Sequence, residues 1–203
     1  MSNFSIESCI TSVHDGITAF QKGAHRLEAC TRLETEGMTP ELDWVEALCQ
    51  QVDIPVRVMI RETENGFEAN DQTLDQMIRA IEKFKTIPVE GLVLGVMKNR
   101  RIDKEAMTAL IQIASPFSIT FHKAIDHSEK IMDDIEWLNE FPIVDTILTS
   151  GGKEFASDGT DQILEMKNHF DRNIMAGGKI TQQNLNAIHD VLQLRWYHGK
   201  NIV

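Results

Sequence analysis

Eight short apolar runs, each followed by a stretch with helical spacing, order this chain from end to end. They are Phe4–Ile10, Arg26–Cys30, Ile54–Arg61, Gly91–Met97, Phe117–His122, Thr146–Ser150, Asn173–Ala176 and Leu194–His198. The stretches Gly91–Val96 and Thr146–Leu148 are nearly continuous hydrophobe, as parallel strands covered on both faces require. Between the runs lie segments with apolar residues at helical intervals. Val13–Gln21 is closed by Gly23. Thr39 and Pro40 read as N-cap and first residue of a helix carrying Leu42, Val45 and Leu48. A third spans about Asp71–Phe84. Asp103 caps a fourth, Ser128 begins a fifth, and Asp158–Asn168 and Thr181–Leu192 supply two more. This rhythm, with no series of hairpin turns, predicts an α/β fold, a compact (β/α)8 TIM-type barrel forming a single domain over residues 1–203. A doubly wound open sheet is the competing arrangement. The lack of a Gly-x-Gly-x-x-Gly turn after the first run counts against it.

The barrel reading also says where chemistry belongs, because the carboxyl ends of the strands form the active face. Several runs end there in something other than hydrophobe: Cys9, Cys30, Arg61, His122 and His198. The net charge of −11 disfavours phosphate backbones and anionic membrane surfaces, so neither nucleic acid nor membrane is an expected partner. No run reaches the roughly 18 apolar residues of a membrane helix. The opening MSNFSIESCI lacks a basic, then apolar, leader pattern, so a cytoplasmic location is expected. Three scattered cysteines, Cys9, Cys30 and Cys49, do not make a disulfide framework and are expected as reduced thiols.

The sharpest local signal is a duplicated triplet: Glu7-Ser8-Cys9 in the first run and Glu28-Ala29-Cys30 in the second. Residues i and i+2 of a strand share a face. Neighbouring strands would therefore bring two thiols and two carboxylates together, with Arg57, Arg61 and His122 as candidate partners for the acids. Paired thiols suit a soft metal, Cu(I) above all, or Zn. The plain alternative is that both cysteines pack as small hydrophobes, as Cys49 on an apolar helix face is expected to do. Arg61 can fork onto an anion or pair with Glu7 or Glu28. His122 suits proton transfer or metal ligation, with Asp126 placed to orient it, and Lys123 should point elsewhere. The pairs Gly151-Gly152 and Gly177-Gly178 follow the sixth and seventh runs. Glycines there can admit a phosphate to backbone amides, or simply serve a tight turn.

Taken together, Arg26–Cys30, Glu36-Gly37-Met38-Thr39-Pro40, Ile54–Arg61, Ile119–Asp126, Leu148–Gly152 and Met175–Gly178 resemble the CutC family, named for copper homeostasis, from about Ile6 to His198. The resemblance implies a cytoplasmic (β/α)8 barrel associated with copper. It implies Cys9 and Cys30 as copper ligands and Glu7, Glu28, Arg61, His122, Asp126 and His198 as the polar cluster at the mouth. It also implies that dimers or larger homo-oligomers can form. This chain departs from the family pattern after the third run, where Pro-Arg-Gly-Gly-Asp-Phe becomes Glu62-Thr63-Glu64-Asn65-Gly66-Phe67, and at Lys179, which replaces a third glycine.

Two main functional readings follow. The first is a cytosolic copper-homeostasis protein binding Cu(I) through Cys9 and Cys30. The second is a barrel enzyme acting on a small phosphorylated or carboxylated anion, with Glu7 or Glu28 as base, His122 as acid and Arg61 as anion clamp. A binding module without turnover is the third.

Overall fold

The computed structural model describes residues 4–64 and 66–203. Met1–Asn3 of the chain's opening and Asn65 of the loop before Phe67 fall outside those residues. Eight parallel strands close into a barrel. They are β1 (Ser5–Ile10), β2 (Arg26–Ala29), β3 (Val56–Met59), β4 (Gly91–Leu94), β5 (Ser118–Phe121), β6 (Val144–Thr149), β7 (Asn173–Ala176) and β8 (Trp196–Gly199). Each strand pairs with its sequence neighbours, and β8 closes on β1. Helices α1 (Val13–Gln21), α2 (Leu42–Cys49), α3 (Asp71–Phe84), α4 (Lys104–Ala114), α5 (Ile131–Asn139), α6 (Thr160–His169) and α7 (Leu185–Leu192) connect them. A short antiparallel ribbon, Met97–Lys98 with Arg101–Ile102, follows β4. No helix among the described residues is long and apolar enough to cross a membrane.

Strand alternation separates two kinds of burial. Outward-facing Leu27, Val58, Leu92, Ile119, Ile147 and Ile174 join helix residues such as Leu48, Ile81, Leu110 and Leu138 in one hydrophobic layer. The inward face is mostly polar. Registers pair Glu7 with Arg26 and with His198, Cys9 with Glu28, Glu28 with Arg57, and Thr120 with Thr146. Within the barrel, Cys9, Cys30, Met59 and Val93 form a small apolar cluster of their own.

Helix starts differ from the sequence reading at four places: α6 begins at Thr160 and α7 at Leu185, where Asp158 and Thr181 were expected, and at the other two a hydroxyl takes a different partner. Thr39 caps no helix: its hydroxyl exchanges hydrogen bonds with the backbone of Arg61, tying the loop after β2 to the end of β3, and α2 begins at Leu42. Ser128 likewise precedes α5, which begins at Ile131. Its hydroxyl donates to buried Asp134 and accepts from the Lys130 amide. Local side-chain bonds to loop backbone compete with capping for such residues. Asn70 and Asp103 do accept from the amides of Thr73 and Ala106, as helix caps should.

Candidate metal and ligand site at the barrel mouth

A cavity of about 620 Å³ opens at the carboxyl ends of the strands. Its lining includes Cys9, Glu28, Cys30, His122 and His198, contributed by β1, β2, β5 and β8 or the residues just beyond them. The Cys9 and Cys30 sulfurs lie 3.3 Å apart. Diagonal placement explains this: Cys9 is in register with Glu28, and Cys30 stands two residues further on, just past the end of β2. Ligand atoms of Cys9, Glu28 and His198 also lie within 4.8 Å of one another. Met59 belongs to the same small buried cluster as both thiols.

Charge at the back of this group is organised around His198. Its Nδ1 lies 2.9 Å from Glu7 and its Nε2 lies 3.3 Å from Glu28. Burial alone would lower the imidazole's proton affinity, but Glu28 and Glu7 outweigh it and raise it. A protonated ring donates to both carboxylates. Glu7 is fully buried, and burial alone would raise it too. The Arg26 guanidinium bonded to it, with His198, holds it down at about 2. Arg26 in turn stacks 4.2 Å from the Trp196 ring centroid. Glu28 goes the other way: burial pushes it up, helped by the charge of Glu7, and His198 only partly offsets this. The hydrogen bond to Cys30, burial and the nearby Glu28 raise the Cys9 thiol well above its ordinary value.

Across the mouth, the His122 ring lies against Phe67, with centroids 4.9 Å apart. A Cβ on Gly95 would come within 2.8 Å of that ring, so glycine there makes its seat. The Ala124 amide donates to His122 Nδ1 at 3.3 Å, which assigns the proton of the neutral ring to Nε2. Burial, then the Arg61 charge, holds His122 down at about 3, so the ring is neutral at physiological pH. Two buried side-chain atoms among the described residues have no hydrogen-bond partner, Glu28 Oε1 and His122 Nε2.

Several expected roles are redistributed. Arg61 pairs with neither Glu7 nor Glu28 among the described residues. Its buried guanidinium donates to the carbonyl oxygens of Thr35, Gly37 and Gly66 and stacks 4.9 Å from the Phe67 ring centroid, holding two loops together. Arg57 serves the opposite end of the barrel, bonding Glu90 and Asp145. Glu7, expected as a base, lies behind the cavity in its ion pairs with Arg26 and His198. Asp126 does not orient His122. It accepts from the hydroxyl of Thr149, from the amide and hydroxyl of Ser150, and from the Gly152 amide.

The turn at Gly151-Gly152 is thus a cradle of donors, and this chain's own carboxylate fills it. The Gly151 amide bonds the Thr149 hydroxyl and the Gly177 amide bonds the Thr149 carbonyl. Gly151, Gly152 and Gly177 therefore offer no amides to a phosphate, because all three are spent inside the fold. Gly178 does line the cavity. Its φ of +110°, and a Cβ that would fall 2.8 Å from Ser150, require glycine there. Lys123, expected to point elsewhere, also lines the cavity. Sequence reading missed Met59 and Arg26 as participants. The i, i−2 spacing of Arg26 from Glu28 was the available signal for the second.

Comparison with known proteins identifies the family of the chain. A family model described as the CutC family matches residues 4–203. The copper homeostasis protein cutC homolog of Homo sapiens is 34% identical over 190 residues, covering 92% of this chain and 69% of that protein. The homolog of the same name in Dictyostelium discoideum is 30% identical over 227 residues, covering 97% of this chain and 81% of that protein. A crystal structure of CutC from Streptococcus agalactiae superposes with a TM-score of 0.93 at 25% identity, covering 98% of this chain and 100% of that one. Dihydrodipicolinate synthase DapA-2 of Bacillus anthracis shares the barrel, with a TM-score of 0.67 at 14% identity over 98% of this chain and 70% of that one. That likeness is one of fold alone.

Proposed function

We propose that this chain, which belongs to the CutC family, is a cytosolic copper-homeostasis protein that binds Cu(I) at the mouth of its barrel through Cys9 and Cys30. The observation that carries this reading is the meeting of the two thiols, 3.3 Å apart, beside Glu28 and His198. Thiolate and thioether sulfur select Cu(I) over hard cations, and Met59 adds a thioether to the same cluster. The names of the human and Dictyostelium relatives point the same way.

The donor set fits a metal, and its dimensions favour a bent site over a linear one. At a metal–sulfur bond of about 2.3 Å, two sulfurs stand about 3.8–4.0 Å apart in tetrahedral or trigonal coordination and about 4.6 Å apart in linear coordination. The thiols need part by only about half an ångström for the bent geometries. Glu28 and His198 then supply the remaining donors. His198 must surrender its Nε2 proton to ligate, while its Nδ1–H stays on Glu7, an outer partner that sets the tautomer and orientation of the ring. The raised Cys9 thiol means that binding releases protons.

The test is an anaerobic Cu(I) titration against a competing chelator, on the native protein and on Cys9→Ser/Cys30→Ser, with Zn²⁺ as a parallel arm. One-to-one Cu(I) binding that the double variant loses supports the reading. Equal Cu(I) affinity in both proteins makes the thiols packing residues. Preference for Zn²⁺ transfers the site to a different metal.

A further inference from the structure

The mouth has two unlike halves, and copper accounts for only one. The thiols belong to β1 and β2. Round the rest of the mouth, the loops after β5, β6 and β7, and the loop after β8 next to β1, carry Lys123, Lys153, Lys179 and Lys200, and all four line the cavity. None of them has an ion-pair partner among the described residues, although the chain carries 31 acidic against 20 basic residues. Four carboxylates line the same cavity: Glu28, Glu36, Asp126 and Glu154. Asp126 is consumed by the Ser150–Gly152 cradle and Glu28 by His198. Glu36 stands on the thiol side, after β2. Only Glu154 remains to oppose four ammonium groups on the lysine side.

At the inner edge of this half sits His122, 2% exposed, with Nε2 unpartnered and the ring lining the cavity. We propose that the lysine half of the mouth binds a small organic anion. Lys153, Lys179 and Lys200 hold its phosphate or carboxylate, and the His122 Nε2–H donates to a second oxygen of the same molecule. Leaving a buried donor unpaired costs free energy that a ligand oxygen recovers. The ring stays a neutral donor at physiological pH, since burial and Arg61 hold its value at about 3. Lys179 and Lys200 follow the seventh and eighth strands, where barrels of this type commonly place a phosphate. Here side-chain ammonium groups take the part usually given to backbone amides.

This inference stands apart from the copper reading, and its test uses metal-free protein. The probes are 2-phosphoglycolate, which joins a phosphate to a carboxylate, with inorganic phosphate and malonate as arms that separate the two groups. Calorimetry should show saturable binding of 2-phosphoglycolate. It should weaken about tenfold or more in His122→Phe, a loss of one buried hydrogen bond, and also in Lys153→Ala/Lys200→Ala. His122→Gln, which keeps an N–H at similar reach, should restore part of the loss. Tighter binding of phosphate than of malonate identifies a phosphoryl ligand, and the reverse a carboxylate. Cys9→Ser/Cys30→Ser should bind the probes unchanged, so failure of the copper reading leaves this one standing. Absence of saturable binding of all three probes at millimolar concentration overturns the proposal. So does binding indifferent to both the lysine pair and His122. Should His122→Phe fail to fold, the lysine variant decides.

Discussion

The two ends of this barrel each bury charge, and they treat it differently. At the amino-terminal end Arg57, 1% exposed, bonds Glu90 at 2.7 and 3.1 Å, Asp145 at 2.7 Å through two nitrogens, and Thr120 at 2.6 Å. Every guanidinium nitrogen is occupied. At the mouth, Glu7, Arg26 and His198 are similarly matched, yet Glu28 and His122 each keep one buried atom without a partner. A closed network specifies the fold; an open one holds capacity for something that is not part of the chain. Saturation, and not burial or charge, separates the structural cluster from the candidate site.

Breaking the closed network should have the largest effect. Arg57→Met strands Glu90 and Asp145, and removing one partner of a buried pair costs about 3–5 kcal/mol. Both acids reach solvent at 37% and 30% side-chain exposure, so the lower end is expected. Urea denaturation should show the loss, while Cu(I) affinity stays unchanged. A comparable loss of copper binding would mean that the two ends are coupled and the contrast false.

Acid should distinguish two mouth residues by where each acts. Glu7 is held at about 2 against an ordinary 4.5. Its contribution is present in full above the unfolded value and disappears as pH falls through the folded one. That is on the order of 3 kcal/mol between about pH 4.5 and 2. His122 is held at about 3 against 6.5. Folding excludes its proton, so stability falls with pH over a window that opens earlier, from 6.5 downward. Thermal unfolding across pH should show Glu7→Gln flattening the lower window and His122→Phe the upper. Coincident profiles for these variants and the native protein would remove the electrostatic account of the mouth.

A smaller effect is expected at the filled cradle. Asp126→Ala leaves the donors of Thr149, Ser150 and Gly152 without their acceptor, at about 1–3 kcal/mol. Amide exchange at Ser150 and Gly152 should accelerate. Unchanged protection would show that Asp126 is incidental to the turn.

Much of the barrel was legible because its signal is local. Near-continuous apolar runs such as Gly91–Val96 announce a buried parallel strand without reference to any other part of the chain. The Glu-x-Cys repeat was legible for the same reason, since i and i+2 share a face and adjacent strands lie side by side. Partner choice was less so. Arg61, Arg57 and Arg26 all read as cations near buried acids, and only register and depth assign Arg26 to Glu7, Arg57 to the far end and Arg61 to loop carbonyls. The Asp126 cradle spans 24 residues between Asp126 and Ser150, and the lysine rim is assembled from four separate loops. Neither leaves a contiguous motif. Local hydroxyl chemistry also displaced two expected helix starts, at Thr39, which bonds the Arg61 backbone, and at Ser128, which bonds Asp134 and the Lys130 amide.

X-ray absorption at the copper edge of the Cu(I)-loaded protein, beside the Cys9→Ser/Cys30→Ser variant, tests the central claim most directly. The open mouth predicts two sulfur scatterers at about 2.3 Å together with a nitrogen or oxygen neighbour, and loss of the sulfur shell in the variant. A native spectrum dominated by nitrogen and oxygen, or one that the double variant reproduces, would contradict a thiol-based copper site in this barrel.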